Sequence, residues 1–141
     1  MAATVVRNVF VYGSLLAPEV LTALLHRVPP ASLAVVHDYH RFSIKNRIYP
    51  AVLPSKGDKV FGKVLFDLSD QELHILDEFE DIEYTRLIVS PRILVTAYMY
   101  IWADQGDPDL VGDWEYEEWA RTYLEDYVKM CEEFESELSK I

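Results

Sequence analysis

The longest unbroken periodicity in the chain lies at its end. From Trp114 onward Tyr116, Ala120, Tyr123, Tyr127, Met130, Phe134 and Leu138 recur at helical spacing, with acids on the remaining faces. Unbroken, such a helix would run about 40 Å at 1.5 Å per residue, longer than a compact body of this size comfortably covers. The remainder must therefore form a small body on which this helix packs, from which it projects, or against which it breaks. Asp113 is a good N-cap for it, after a loop at Gly106-Asp107-Pro108-Asp109.

The body reads mainly as strands. Val5 to Tyr12 is rich in β-branched and aromatic residues and ends at Gly13. Pro18 then suits a first helical position, and Val20, Leu21, Leu24 and Leu25 keep helical spacing until Pro29-Pro30 stops the helix. Ala31 to Ile44 supplies a strand. Pro50 and Pro54 confine their segment to an edge or an irregular loop, and Lys56-Gly57-Asp58 marks a turn. Lys59 to Leu68 is a further strand in which Gly62 marks a bulge or a close backbone approach. Ser69 and Glu72 have the form of a capping box, so a helix begins near Asp70, buries Leu73, Leu76 and Phe79, and ends by Glu80. Thr85 to Val89 and Ile93 to Trp102 read as two more strands.

At 141 residues the chain fits one core-bearing body, residues 1–103, followed by an acidic linker and helix, residues 104–141. The last segment holds 13 acids against Arg121, Lys129 and Lys140, whereas residues 1–103 hold 11 acids against 10 bases. Phosphate recognition needs a basic cluster, and none appears, so nucleic-acid binding is disfavoured. The single cysteine, Cys131, excludes an internal disulfide and suits a reducing compartment; as a small apolar residue on a helix it reads as packing. Arg7 and Gly13-Ser14 interrupt the apolar start, which reads as neither signal nor membrane span, and Ala2 stands where myristoylation needs Gly. The expectation is a cytoplasmic protein without a membrane partner; Ser139-Lys140-Ile141 approaches a peroxisomal address but ends in the wrong residue.

Two short stretches carry chemistry. In LDEFEDIEYTR, Leu76 to Arg86, five carboxylates occupy seven positions. A carboxylate at a helix C-terminus faces the negative end of the macrodipole and its acidic neighbours, so its charged form is disfavoured twice. Stability does not select that, but a general base gains from raised basicity. Glu80, directly after the apolar Phe79, is the acid best placed to point into a cleft. In VYGSLLAPE, Val11 to Glu19, a strand ends at glycine and turns into a helix, offering the amides of Gly13, Ser14, Leu15, Leu16 and Ala17 as a cradle for a carboxylate or oxyanion. Taken singly each stretch has a bland reading: a solvated acidic helix end, or an ordinary turn.

Together, and in order, they are specific. Tyr12 to Leu15 (Y-G-S-L), Tyr49 to Ala51 (Y-P-A), Val60 to Val64 (V-x-G-x-V), Leu76 to Glu80 (L-D-x-F-E) and Tyr84 to Arg86 (Y-x-R) resemble the γ-glutamyl cyclotransferase-like superfamily, most closely its plant avirulence-induced-gene branch. The tail from Gly112 to Met130 also looks like the C-terminal helix of plant members. The resemblance implies an α+β fold, a small mixed β-barrel with flanking short helices and a long C-terminal helix. It implies a cleft lined by the Y-G-S-L loop and the glutamate, a small γ-glutamyl peptide or γ-glutamylamine substrate, and no cofactor or metal. In such a substrate the α-amine attacks the γ-carbonyl, 5-oxoproline forms and the amine leaves. Glu80 would be the general acid/base, Tyr12 to Ala17 the substrate-binding loop, and Tyr84 and Arg86 would shape or charge-balance the cleft.

Other constellations carry less. His37 and His40, three apart in a strand, point to opposite faces and cannot easily share a metal ion. Ser14 has no partner signature for a hydrolase triad. Trp114, Tyr116, Trp119, Tyr123 and Tyr127 read as packing surface, any excess of which could meet another chain. The rival class is accordingly a non-catalytic protein of the same fold that docks a protein partner through the acidic tail helix.

Overall fold

The computed structural model describes residues 7–80, 97–104 and 106–139, and the backbone of 84–89. Its elements follow in the order β1 (Val9–Val11), a 3-10 turn (Ser14–Leu16), α1 (Pro18–Leu25), β2 (Ala31–Ile44), β3 (Pro50–Leu65), α2 (Asp70–Glu80), β4 (Tyr84–Val89), β5 (Ala97–Trp102), β6 (Leu110–Asp113) and α3 (Tyr116–Ser139). The six strands form one mixed sheet in the order β4-β5-β1-β3-β2-β6, in which only β1 and β5 run parallel. The α+β class holds, but the expected barrel does not: β4 and β6 are the two ends of an open sheet.

Local chemistry accounts for most boundaries. Pro18 opens α1 at N1 and His26, in the left-handed region at φ 60°, closes it, three residues before the proline pair. The Ser69–Glu72 capping box forms in both directions: the Glu72 amide donates to Ser69 Oγ at 3.1 Å and the Ser69 amide to Glu72 Oε1 at 2.9 Å. Glu72 also takes a forked pair of bonds from Arg27, both at 2.7 Å, which ties the start of α2 to the end of α1.

β3 corrects the turn expected at Lys56-Gly57-Asp58. These residues belong to one long strand that bulges: His37 pairs with Lys59 and Tyr39 with Pro54, so Asp38 alone faces residues 55–58. Asp38 sits at φ 68° and Gly57 at φ 89°, and the Gly57 amide donates to Asp38 Oδ1 at 3.0 Å. The prolines fall where they do least harm. β1 pairs with β3 only over Lys63 to Leu65, so the Pro50–Pro54 half hydrogen-bonds to β2 alone. Gly62 marks a close approach: a Cβ there would stand 2.2 Å from the Val11 carbonyl oxygen.

β1 is buried on both faces. Val9 and Val11 face the helices, with Val20, Leu24, Leu76, Trp119 and Cys131; Phe10 and Tyr12 face the other way, against Val36, Val52, Val64 and Met99. α3 is continuous, about 36 Å at 1.5 Å per residue. Its buried stripe is Trp119, Tyr127 and Cys131, flanked by half-buried Ala120, Leu124, Val128 and Phe134. Tyr123 and Met130, expected in the stripe, are each 41% exposed. Ahead of the helix the expected linker contains β6, which pairs with β2, so the acidic segment completes the sheet. Asp113 is the last residue of that strand and does not cap α3; its carboxylate meets His40 Nε2 at 2.8 Å. The first turn of α3 is closed instead by Trp119 N–H on the Glu115 carbonyl, at 3.1 Å.

Candidate active site

Where the C-terminal end of α2, the turn after β1 and the middle of α3 converge, they enclose a cavity of about 310 Å³. Tyr12, Gly13, Ser14 and Leu15 form one wall and Glu80 another, with Phe79, Tyr49, Pro50, Tyr100, Tyr127 and Phe134 between them. The two stretches singled out in the sequence, more than 60 positions apart, thus share one hollow.

The turn is held from several sides. Leu16 N–H donates to the Gly13 carbonyl at 2.9 Å and Ala17 N–H to the Ser14 carbonyl at 3.1 Å, so these two amides close the 3-10 turn. Neither Leu16 nor Ala17 lines the cavity, which narrows the expected five-amide cradle. The amides of Gly13, Ser14 and Leu15 have no acceptor among the described residues. Tyr12 is a core aromatic and a wall at once. Its hydroxyl donates to the Tyr100 carbonyl, and its own carbonyl accepts from Arg41 Nη1 at 2.7 Å. Burial raises its phenol well above the ordinary value, the Glu80 charge adds to this, and Arg41 opposes it.

Glu80 ends α2, one turn after Asp77 on the same face. Its carboxyl is pushed up to about 8, first by burial and then by the charge of Asp77. The sequence reading rested on the helix end and the acidic neighbours; the largest cause is desolvation, and among the described acids of the run Asp77 adds to it. Asp77 is itself fixed by the Tyr100 hydroxyl, which donates to Oδ1 at 2.7 Å. Among the described residues no side chain donates to Glu80, leaving its carboxylate available to whatever fills the cavity. Asp81 and Glu83 lie outside the described residues, as do the side chains of Tyr84 and Arg86. The backbone register sets Tyr84 opposite Trp102 and Arg86 opposite Tyr100, on the strand next to the cavity wall.

The sequence did not point to the aromatic part of the wall. Phe79 meets Tyr127 and Phe134 edge-on, with ring centroids 6.2 and 5.4 Å apart, which fixes α2 against α3. Tyr127 reaches the turn itself, with its hydroxyl 3.1 Å from Ser14 Oγ. Helical period placed Tyr127 on an apolar face and carried no sign of a cavity; the Y-P-A motif was the available hint for Tyr49 and Pro50. His37 and His40 do not come together: His37 is exposed, and His40 lies between Asp113 and Asp58. Among the described residues no group of three or more His, Cys, Asp or Glu side chains could hold a metal ion.

A half-buried carboxylate of raised basicity shares this cavity with a turn whose Gly13, Ser14 and Leu15 amides have no acceptor among the described residues, an arrangement suited to proton transfer on a small, anionic molecule. Residues 9–121 match the family described as gamma-glutamyl cyclotransferase, AIG2-like, and the chain belongs to that family. It is 49% identical to AIG2-like protein D of Arabidopsis thaliana, an alignment covering 99% of this chain and 96% of that protein. The solution structure of another Arabidopsis thaliana protein, 34% identical, superposes with a TM-score of 0.71 over 92% of this chain and 90% of its own. A solved gamma-glutamyl cyclotransferase, 18% identical, has a TM-score of 0.59 over 96% of this chain and 99% of its own, a likeness of fold alone. Among the described residues no helix is long and apolar enough to cross a membrane.

Proposed function

We propose that this protein is a γ-glutamyl cyclotransferase that releases 5-oxoproline from a γ-glutamyl peptide or γ-glutamylamine. The observation that carries the reading is the meeting of Glu80 with the Tyr12–Leu15 turn across one small cavity. Because nucleophile and electrophile belong to one molecule, holding a bent conformer can supply roughly 7 to 11 kcal/mol of the barrier, and no enzyme nucleophile is required. What remains is proton movement. The α-ammonium has a reference pKa of about 8, and Glu80 is pushed up to about 8. The raised value brings the carboxylate much nearer to the basicity of an amine, whereas an ordinary glutamate would be several units too weak a base.

In this mechanism Glu80 takes a proton from the α-ammonium, and the freed nitrogen adds to the γ-carbon. Glu80 hands that proton to the leaving nitrogen, and as the tetrahedral intermediate collapses the carbonyl re-forms and the bond to that nitrogen breaks. The second proton of the attacking nitrogen follows through Glu80 to the departing amine, which leaves as an ammonium, and the ring keeps one N–H. The amides of Gly13, Ser14 and Leu15 receive negative charge on the substrate. A docking role for α3 would have to use its acidic outer face, since its apolar face is committed to α1, α2 and the cavity.

Incubation with a panel of γ-glutamyl peptides and γ-glutamylamines, reading 5-oxoproline, tests the proposal. Formation from at least one of them, lost in Glu80→Gln, is the expected result; no product from any substrate rejects it.

A further inference from the structure

Ser14 and Tyr127 are both buried, both line the cavity, and their hydroxyl oxygens lie 3.1 Å apart. Two hydroxyls hold two protons, and one hydrogen bond between them uses one. With Ser14 donating, Tyr127 retains its O–H; with the roles reversed, Ser14 does. Neither side chain has another acceptor among the described residues. A buried donor without an acceptor is unfavourable, so the cavity's occupant is the natural recipient.

We infer that the Ser14–Tyr127 hydroxyl pair donates to the oxyanion formed on the substrate's γ-carbon, which makes Tyr127 a catalytic residue carried by the C-terminal helix. The inference rests on the cyclotransferase reading and divides the negative charge of the substrate between two receivers. Glu80 serves the attacking and the leaving nitrogen, and in the tetrahedral intermediate both are bonded to the γ-carbon. A donor beside Glu80 therefore stands beside the oxyanion. Tyr127 has that position: it lines the same cavity as Glu80 and packs its ring edge-on against Phe79, the residue before Glu80. Burial raises its phenol and keeps it protonated. The α-carboxylate is left to the turn amides. As the amine adds, the carbonyl π electrons move onto oxygen, which accepts the hydroxyl's hydrogen bond. When the leaving C–N bond breaks, they return; the hydroxyl proton is never transferred. The family match ends at residue 121, short of Tyr127, so this contribution lies beyond the matched segment.

The test compares wild type with Tyr127→Phe, Ser14→Ala and the double variant, reading 5-oxoproline formation alongside thermal melting. Phe keeps the ring that packs on Phe79 and Trp119. Tyr127→Phe is expected to lower kcat about 100-fold while KM moves less than about threefold. Ser14→Ala, which removes the partner that holds the phenol hydroxyl in place, should lower kcat about five- to tenfold, and the double variant should be no worse than Tyr127→Phe. If wild type is active and Tyr127→Phe matches it, the hydroxyl pair is wrong and the cyclotransferase reading stands. A raised KM at constant kcat places the donor on the ground state and overturns the oxyanion role. Additive losses overturn the pairing. Should Tyr127→Phe fail to fold, Ser14→Ala decides, and kcat within about twofold of wild type overturns the inference. Wild type that forms no 5-oxoproline removes both readings together.

Discussion

Pro50 stands directly against Gly13: a Cβ built on that glycine would come within 2.8 Å of the proline Cγ and 3.0 Å of its Cδ. Two motifs far apart in sequence, Y-G-S-L and Y-P-A, are thus two sides of one steric fit. Pro50 lies in the half of β3 that pairs with β2 and not with β1, and its ring presses on the turn.

Gly13→Ala should push the turn away from Pro50. Overpacking of this kind costs about 1–3 kcal/mol, and displacement of the amides should lower activity about tenfold or more. Pro50→Ala in the same chain should return much of both losses, because the clash is with the ring. Thermal melts and 5-oxoproline rates of the two single variants and the double variant check this; a double variant no better than Gly13→Ala would place the damage elsewhere.

The capping box offers a cleaner stability measurement, away from the cavity. Ser69→Ala removes one half of a reciprocal pair and is expected to cost about 1 kcal/mol, with kcat unchanged. Glu72 adds a pH signature. Its carboxyl is held below the usual value, chiefly by the Arg27 hydrogen bonds. That contribution is complete above the unfolded glutamate value of about 4.3 and is lost as pH falls through the depressed folded value. Denaturant melts at pH 7 and in the acid range, on wild type and Glu72→Gln, should converge at low pH.

Where local chemistry decides an element, the sequence states it: Pro18 opens α1, Ser69 and Glu72 open α2, and Gly62 lets β3 approach Val11. Where a distant partner decides, it does not. Leu110 to Asp113, after the Gly-Asp-Pro-Asp loop, reads as a run into a helix cap, and becomes β6 because β2 offers an edge. Likewise residues 56–58 look like a turn, but the bulge opposite Asp38 absorbs them into β3. The closed barrel came from the family resemblance, and the order of strand pairing is invisible to any local pattern. At the site, Glu80 and the turn were legible as motifs. Tyr127, Phe79 and Phe134 were not, since helical period says that a residue is inward and never says which cavity it meets. The cause of the Glu80 shift was hidden for the same reason, because burial is a property of the assembled fold.

Cys131 shows how a lone cysteine can be settled by packing. It is fully buried, and its thiol is pushed up to about 12, first by burial and then by the charges of Glu132 and Glu80. Reactivity follows the thiolate, so native protein at pH 8 should react with a thiol reagent at least about 100-fold more slowly than the same chain in guanidinium. Ellman's reagent with and without denaturant makes the comparison, and rapid native labelling would mean that α3 leaves the body readily.

Glu80→Gln should move stability and activity in opposite directions. The folded chain binds this proton up to about pH 8, whereas an unfolded glutamate releases it near 4.3. Between those values the native state holds the greater number of protons, so the group's effect on stability worsens as pH rises through the window and levels off above it. Wild type should therefore lose melting temperature from pH 5 to pH 8 relative to Glu80→Gln, whose amide has nothing to ionise. At pH 8 the variant should be the more stable protein and, without its general base, about 10² to 10⁴-fold slower. The rate profile carries the same group: wild-type kcat/KM should climb about tenfold per pH unit toward pH 8 while Glu80 is still mostly protonated. Parallel melting curves for the two proteins across the window, with a rate profile flat from pH 5 upward, would show a carboxylate of ordinary acidity and remove the base from the mechanism.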